Sequence, residues 1–423
     1  MHDAIDPIFG RLVDKWISDA ATAGARTWDE LVRKLPGVYP SVAFERLQKS
    51  PANDAAERFI PPVKDSRNPE EAAWTQLPTP HPLDFTWWFD RCSADRLVRI
   101  GLRHSKPRDC LLFLGAPTLF LSCLRAGVER EVVLLDADPL AIGCLDSRVP
   151  GFRAIRCDLL TDEPPQLTAQ VVIGDPPWYE GELKHFLWVA RNSCRLGATV
   201  LLSCPPRGTR PGVEAEVASL LEGAADLGLE LVEFSRGMLL YLSPVFERNA
   251  LKASGLPRVT ATWRRGDVAR FICRRANRGE RPLVQRRDVW WEESIGGVRI
   301  RVRSQFELLW ANPMLKSLVE GDVLPSVSRR EPIREHVDVW TSGNRVFSCE
   351  GRFVFREILR AIRERSDPRD AVGHGLGRSL SIEEEQLTMV ALAGARRVLE
   401  QELLECDAMG GQIRDDSMAD GSG

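Results

Sequence analysis

The sequence predicts an α/β protein in which a mostly parallel sheet is covered by helices, with a helical module before it and an α+β region after it. Two observations predict this arrangement. Between residues 83 and 276, short apolar runs alternate with segments of helical spacing, as in strand–helix–strand units whose strands are buried on both faces. On either side the pattern changes, to closely spaced short helices before residue 50 and to hairpins followed by helices after residue 277.

The length and composition of the chain are those of a globular protein with two or three domains. It has 423 residues, of which 43% are hydrophobic and 28% are charged, enough to bury an ordinary core. Residues 1–16 lack the apolar run of a secretion signal, and no stretch approaches the roughly 18 apolar residues that a membrane-spanning helix needs. We therefore expect a cytoplasmic protein that makes no membrane contact.

Ten cysteines are spread along the chain without a C-x-x-C pair, and most of them lie in apolar surroundings. Metal sites built on cysteine usually place two of them close together in the sequence. The pattern therefore predicts buried, reduced thiols and no metal centre.

The first fifty residues predict three short helices. Residues 9–23, 27–35 and 41–49 have helical spacing of their apolar side chains and are joined by tight turns. This arrangement resembles a helix-turn-helix or winged-helix module. Such modules contact DNA in some proteins and act as dimerisation or lid elements in others, and both interpretations stay open. Residues 51–82 are rich in proline and charge and predict a linker, partly wrapped on the next domain.

The central stretch, residues 83–276, predicts a parallel sheet through apolar runs separated by helical segments. The predicted strands are residues 110–114, 132–135, 152–157, 171–173 and 199–204. The segments around residues 122–126, 140–147, 183–193 and 214–225 lie on helices between or beyond these strands. Residues that follow the strands should meet at the carboxyl edge of the sheet, where α/β proteins bind ligands.

Small and acidic residues follow the first two predicted strands. Gly115 and Ala116 come directly after the first one, where a glycine lets the backbone approach a bound cofactor closely. Asp136 ends the second strand, 22 residues beyond Leu114, and Asp138 follows it. An acid at this spacing is placed to accept hydrogen bonds from two ribose hydroxyls.

Two further loops complete the pattern. Asp158 and Leu159 follow the third strand, where the acid is placed to accept a hydrogen bond from an adenine amino group. The fourth strand runs into Asp175-Pro176-Pro177-Trp178. Because proline donates no backbone hydrogen bond and restricts φ, the strand must end there, and the acid and the indole are held on a stiff turn.

The order of these features resembles that in the class I S-adenosylmethionine-dependent methyltransferases: a glycine turn, an acid, a second acid and a DPPW turn. The DPPW spelling is similar to that of the N6-adenine enzymes among them. The resemblance covers about 190 of the 423 residues. It implies a Rossmann-like methyltransferase sheet and S-adenosyl-L-methionine as the cofactor, with the glycine turn and the two acidic loops as its binding site.

The same resemblance implies a role for the DPPW turn. In that family the acid and the carbonyl beside the prolines accept hydrogen bonds from a target amine, and the aromatic ring stacks on the planar group that bears it. The catalytic residues implied here are therefore Asp175, Pro176, Pro177 and Trp178. The implied acceptor is an exocyclic amine, most plausibly adenine N6 in DNA or RNA, which makes nucleic acid the expected partner.

A second resemblance is to the branched polyamine synthases, which share a winged-helix-like N-terminus, a strand ending Phe-Leu-Gly and a DPP turn. Those enzymes transfer an aminopropyl group from decarboxylated S-adenosylmethionine, and they carry an acidic run where this chain has Ala116-Pro117-Thr118. The missing acids argue against a polycationic acceptor. A protein lysine, a polyamine, and a regulator that senses the cofactor without turnover stay open as alternatives, and the oligomeric state is not predicted.

Residues 277–405 predict an α+β accessory region, and residues 406–423 predict a disordered tail. Although the net charge of the chain is −3, residues 264–303 carry twelve arginines against five acids, a local charge of +7. This block predicts either contact with a polyanion or a solvated surface. Strand alternation predicts that Val298, Ile300 and Val302 face inward and that Arg299, Arg301 and Arg303 face outward, where they would hold phosphates.

Overall fold

The structure is a computed structural model. It describes residues 6–49, 59, 74–145, 149–256, 259–260, 262–276, 279–283, 288–304 and 309–408. The helices are α1 Pro7–Thr22, α2 Trp28–Lys34, α3 Pro40–Lys49, α4 Arg91–Arg103, α5 Pro117–Ala126, α6 Pro139–Leu145, α7 Glu180–Ser193, α8 Val213–Asp226, α9 Val245–Ala253, α10 Arg352–Glu364, α11 Pro368–Leu376 and α12 Ile382–Ala408. The strands are β1 Trp88–Phe89, β2 Cys110–Leu114, β3 Glu131–Asp136, β4 Phe152–Arg156, β5 Ala169–Gly174, β6 Cys194–Cys204, β7 Leu229–Leu242, β8 Arg265–Cys273, β9 Trp290–Ile295, β10 Val298–Arg303, β11 Lys316–Ser317, β12 Val339–Thr341 and β13 Val346–Ser348.

The predicted parallel sheet is confirmed and forms the centre of an eight-stranded sheet in the order β1-β7-β8-β6-β5-β2-β3-β4. Strands β4, β3, β2, β5 and β6 are parallel neighbours, whereas β8 runs antiparallel between β6 and β7. The chain builds outward from β2 to β4 and then returns to place β5 on the other side of β2. The strand order therefore reverses between β2 and β5, the position at which open α/β sheets bind ligands.

Uninterrupted apolar strands explain why this sheet is buried on both faces. All five residues of β2 are buried, and so are the four central residues of β3. Leu97 of α4 and Leu183 of α7 belong to the same core as these strands. Because β2 and β3 are covered on both sides, their neighbouring polar side chains lie beyond the strand ends, which concentrates them along one edge.

The three predicted N-terminal helices are confirmed as α1, α2 and α3. Their core includes Val13, Leu31 and Ala43, and it is shared with Leu251 and Trp263 from the central part of the chain. Residues 6–49 contain no strand, so the β-hairpin of a winged helix is missing from this described segment. The helical module therefore packs against the segment between β7 and β8, which contains Leu251 and Trp263.

The predicted linker is described only at residue 59 and from residue 74 onward, and this described part is packed against the fold. Trp74 is fully buried, and its indole N–H donates to the Phe89 carbonyl over 2.9 Å. His81 is also buried, with Nε2 3.1 Å from the Trp340 carbonyl oxygen. Trp74 and His81 therefore anchor this segment in the fold, and the segment joins the two sheets.

The predicted α+β region is present as an antiparallel sheet in the order β11-β13-β12-β10-β9, with α10, α11 and α12 packed on it. Helix α12 extends to Ala408, three residues into the predicted tail, and residues 409–423 lie outside the described residues. The proposed domain boundaries stay predictions. No helix among the described residues is long and apolar enough to cross a membrane, and those residues contain no cluster of three or more metal-binding side chains.

The β10 arginines correct one prediction. Val298, Ile300 and Val302 do face the core, but the outward orientation predicted for Arg299, Arg301 and Arg303 is wrong, since Arg299 is only 1% exposed. The other face of the strand is covered by the loops of the large sheet, so these side chains lie between the two sheets. Arg299 and Arg301 are paired with carboxylates there, and Arg303 lies 3.4 Å from Asp288, so none of them is a free phosphate ligand.

Candidate functional site

A cavity of about 410 Å³ opens at the carboxyl edge of the large sheet, around the β2–β5 reversal. Its walls come from the loops after β2, β3, β4 and β5, from Tyr39, Ser41 and Val42 around the start of α3, and from residues 325–331 of the C-terminal region. It brings together Gly115, Asp136, Asp138, Asp158, Leu159, Asp175, Pro176, Pro177 and Trp178. Ala116 is the exception among the predicted site residues, because it is buried as the N-cap of α5 and does not line the cavity.

Gly115 follows β2 and lies beside the DPPW turn. Its φ is +62°, and a Cβ there would stand 3.1 Å from the Phe186 ring and 3.4 Å from the Asp175 carbonyl oxygen. The Gly115 N–H donates to Leu135 O, so the residue provides space for a ligand and not a free donor. The Asp175 N–H donates to Leu114 O over 3.0 Å, which joins the glycine bend and the DPPW turn directly.

Asp136 is a half-buried carboxylate at the end of β3. Burial raises its pKa to about 7, an effect opposed by the hydrogen bond that it accepts from the Asp138 N–H over 2.9 Å. Hydroxyl donors from a ligand would replace the water that the carboxylate has lost. Asp136 is therefore equipped for the ribose contact predicted from its position.

Asp138 is held from the second sheet. The Arg299 guanidinium donates to its two carboxylate oxygens over 2.9 and 3.2 Å, and it also donates to Glu292 over 2.6 Å. Arg301 donates to Glu292 and, over 2.7 and 2.9 Å, to both oxygens of Asp84. Because both carboxylate oxygens of Asp138 accept from Arg299, this side chain mainly holds the loop after β3 in place. It is less available than Asp136 as an acceptor for a cofactor.

The loop after β4 places Asp158 and Leu159 on the cavity wall. Asp158 Oδ1 accepts from the Leu160 N–H over 3.0 Å, and the Asp158 N–H donates to Asp162 over 2.9 Å. These bonds hold the loop in a tight turn and leave Asp158 Oδ2 without a hydrogen bond from the described residues. The adenine contact proposed for Asp158 is compatible with this geometry.

Asp175 has one anchored oxygen. Its Oδ1 accepts from the Ser203 hydroxyl over 2.5 Å and from the Tyr241 hydroxyl over 2.7 Å. Within the described residues, Oδ2 accepts no hydrogen bond. Burial raises the pKa of Asp175 to about 7, although the two hydroxyl donors and the charge of Arg264 act against that rise. The result is an oriented carboxylate with one oxygen left for a ligand.

Trp178 corrects a second prediction. The indole is only 6% exposed, its N–H donates to Ser203 over 3.3 Å, and the Arg264 guanidinium lies 4.4 Å from the ring centroid. The Tyr241 ring packs edge-on against it. Trp178 is therefore built into the wall, and it does not offer a free face for stacking on an acceptor base.

Among the residues that the sequence analysis did not identify, three surround Asp175 and Trp178: Ser203, Tyr241 and Arg264. A signal was available for the first two, since each is a polar residue near the carboxyl end of an apolar strand, β6 or β7. Arg264 precedes β8, whose amino end reaches the same edge because that strand runs antiparallel. Its position could not be inferred without knowing the direction of β8.

Replacing Asp136 with alanine is expected to weaken S-adenosylmethionine binding by about tenfold to a hundredfold, the effect of losing hydrogen bonds to one charged acceptor. Isothermal titration calorimetry on the full chain measures this change. Glu129→Ala, which removes an exposed carboxylate just before the opposite end of β3, serves as the matched control and should bind like wild type. Equal affinity in the Asp136 variant would show that the cofactor does not use the end of β3.

Comparisons with known proteins bear on the fold. No protein-family model matches this chain, and no curated protein matches it in sequence. A variant of the branched-chain polyamine synthase from Thermus thermophilus, solved with N4-aminopropylspermidine and 5'-methylthioadenosine, is similar with a TM-score of 0.51 and 16% identity, over 65% of this chain and 90% of the synthase. 

Two methyltransferases are more distantly similar. A TehB-like S-adenosylmethionine-dependent enzyme from Corynebacterium glutamicum has a TM-score of 0.30 and 15% identity, over 43% of this chain and 88% of its own. An N-methyltransferase from Bradyrhizobium japonicum has a TM-score of 0.31 and 14% identity, over 44% and 97%. The strand order of the large sheet and the similarity to the Thermus thermophilus synthase confirm the predicted Rossmann-like α/β fold.

Proposed function

We propose that this chain is an S-adenosylmethionine-dependent N-methyltransferase whose acceptor amine is held by Asp175. One observation carries the proposal: a carboxylate with one anchored and one unoccupied oxygen lies directly beside the glycine bend, in the same cavity as Asp136 and Asp158. The bend would admit the cofactor, Asp136 would bind its ribose and Asp158 its adenine amino group. When bound, the cofactor supplies an electrophilic methyl group on a sulfonium.

The work of the protein in this reaction is mainly positioning. Asp175 Oδ2 accepts one N–H of the acceptor amine, so that the nitrogen lone pair points along the cavity toward the donor side. With the cofactor bound, its sulfonium methyl would be the group transferred: the new N–C bond would form as the S–C bond breaks, the S–C electron pair would stay on sulfur, and the proton released by the methylated amine would go to water. Holding two reactants in such an arrangement can supply roughly 7–11 kcal/mol of the barrier.

For the acceptor we propose an exocyclic amine, with adenine N6 in nucleic acid as the leading case. Such an amine is neutral, so Asp175 needs only to orient it. A base in a duplex would have to be flipped into the cavity. Because Arg299 and Arg301 are engaged by carboxylates, contacts to phosphates must come from other residues of the chain.

Aminopropyl transfer to a polyamine is the second candidate, and the shared fold with the Thermus thermophilus synthase favours it. One positive charge on the acceptor side opposes it, because the guanidinium of Arg264 has no carboxylate partner among the described residues. The other arginines of the cavity wall are paired with glutamates and do not bear on the choice: Arg210, Arg329 and Arg330.

Transfer of labelled methyl from S-adenosylmethionine to separate DNA, RNA, protein and polyamine pools tests the proposal. We expect label in a nucleic-acid pool, recovered as N6-methyladenine after digestion, and loss of that label with Asp175→Ala. A parallel reaction with aminopropyl-labelled decarboxylated cofactor tests the second candidate. Tight cofactor binding with no transfer to any pool would refute both and favour a cofactor-sensing regulator.

A further inference from the structure

Arg264 has a setting unlike that of the other arginines of the cavity. Its guanidinium carbon lies 4.0 Å from the Trp87 ring centroid and 4.4 Å from that of Trp178, so two indoles hold it. The residue lines the cavity. Within the part of the chain that the structure describes, no hydrogen bond or ion pair engages the guanidinium, although it carries five N–H donors.

The neighbouring cavity arginines are matched by carboxylates. Arg329 pairs with Glu182, and Arg210 pairs with Glu216, which also lies 3.4 Å from Arg330. Those three residues tie the C-terminal loop and the loop before α8 to the DPPW side of the cavity. They are structural, whereas the donors of Arg264 are not used by the described fold.

Glu247 and Tyr39 lie near Arg264 and determine which kind of ligand group could approach its guanidinium. Glu247 is fully buried outside the cavity lining, where its Oε2 accepts from the Trp87 indole N–H over 3.1 Å. The Tyr39 hydroxyl, on the cavity side, is buried next to Glu247. Burial raises the pKa of that glutamate, and the charge of Arg264 and this hydroxyl both act to lower it. Burial and the charge of Glu247 raise the pKa of Tyr39 well above its usual range, so the phenol keeps its proton and remains a donor.

We infer that Arg264 binds an anionic group of the acceptor, a carboxylate or a phosphate, while Asp175 holds the amine of the same molecule. The inference rests on the proposed function and narrows its substrate class to amines that carry an acid. Contact with two indole rings restrains the guanidinium, and no described residue accepts a hydrogen bond from its N–H donors, so these are available to a ligand in the cavity. A planar fork of donors matches a carboxylate or a phosphate with two parallel hydrogen bonds, and a simple polyamine has no such group.

Titration of the full chain with inorganic phosphate and, separately, with acetate tests the inference, followed by the indole ¹⁵N–¹H signals of Trp87 and Trp178. We expect both signals to shift in wild type and the affinity to fall at least about tenfold in Arg264→Gln, as for the loss of a charged hydrogen-bond partner. Arg330→Gln is the matched control: its side chain is 60% exposed on the same wall, and the variant should bind like wild type. A response to phosphate alone would identify a phosphate-bearing acceptor, and a response to acetate alone a carboxylate-bearing one.

Cofactor binding, measured by calorimetry on the same samples, distinguishes a failure of the proposed function from a failure of the inference about Arg264. Wild type and Arg264→Gln should bind S-adenosylmethionine equally, and equal binding also shows that the variant is folded. If Arg264→Gln does not fold, Arg264→Lys replaces it, because lysine retains the charge but lacks the planar fork of donors. Absence of cofactor binding in wild type would overturn the proposed function. Normal cofactor binding without indole shifts for either anion, or with unchanged anion affinity in the Arg264 variant, would overturn the inference alone.

Discussion

Asp175→Asn is expected to lower the rate of methyl transfer by about a hundredfold or more, the scale for removal of one preorganised electrostatic partner. The amide oxygen can still accept from Ser203 and Tyr241, so the local structure is retained. The amide nitrogen then replaces Oδ2, and because it donates, it opposes the N–H of the acceptor. Single-turnover transfer to the labelled pool measures the effect.

The pH dependence of the same reaction gives an independent check. Burial raises the pKa of Asp175 to about 7, so the carboxylate form exists above that pH and is lost below it. The wild-type rate should therefore fall as the pH decreases through about 7, and the Asn variant should lack this step. Tyr241→Phe removes a donor to the carboxylate and should move the midpoint to higher pH. A wild-type rate independent of pH across this range would contradict the role of Asp175.

Arg299→Ala is expected to lower the free energy of unfolding by about 3–5 kcal/mol, the cost of breaking a buried ion pair by removing one partner. The side chain is 1% exposed and lies within 3.3 Å of carboxylate oxygens of Asp84, Asp138 and Glu292. Without it, those carboxylates repel one another and the loop after β3 loses its anchor. We therefore also expect weaker S-adenosylmethionine binding. Urea denaturation and calorimetry measure the two effects.

Arg303→Ala is the matched control for that experiment. It changes the same residue type on the same strand, but Arg303 has one ion-pair partner, the 58% exposed Asp288, and one carbonyl acceptor, Arg334 O. The loss of stability should therefore be smaller than for Arg299, which holds three mostly buried carboxylates. A small change for Arg303 and a large one for Arg299 would show that the buried cluster joins the two sheets. Equal stability of Arg299→Ala and wild type would show that the cluster contributes little.

The local pattern was sufficient to predict the strands and the residues at their ends. Residues 110–114 and 171–173 are predicted from apolar runs and lie in β2 and β5, and the polar residues beyond them reach one edge because parallel strands share a direction. For that reason Gly115 and Asp175 are neighbours in the fold as expected, although 60 positions separate them in the sequence.

The errors have one physical origin. Alternation along β10 assigns Arg299 to the face opposite Val298, and this is correct, but alternation does not say what covers that face. In the fold it is covered by acidic loops of the other sheet, so a residue predicted to bind phosphate is a buried ion-pair partner. Trp178 was similarly predicted from its own motif, whereas its exposure depends on Arg264, 86 residues away.

The amino-acid sequence by itself determined the order of strands and helices, the glycine bend, the acids at the strand ends and the stiffness of the DPPW turn, because each depends on neighbours in the chain. Only the tertiary structure decided that Ser203 and Tyr241 orient Asp175, that Arg299 anchors the loop after β3, and that Arg264 lies between two indoles. Those are contacts between distant segments, and their energies depend on burial and on partners that no local pattern specifies.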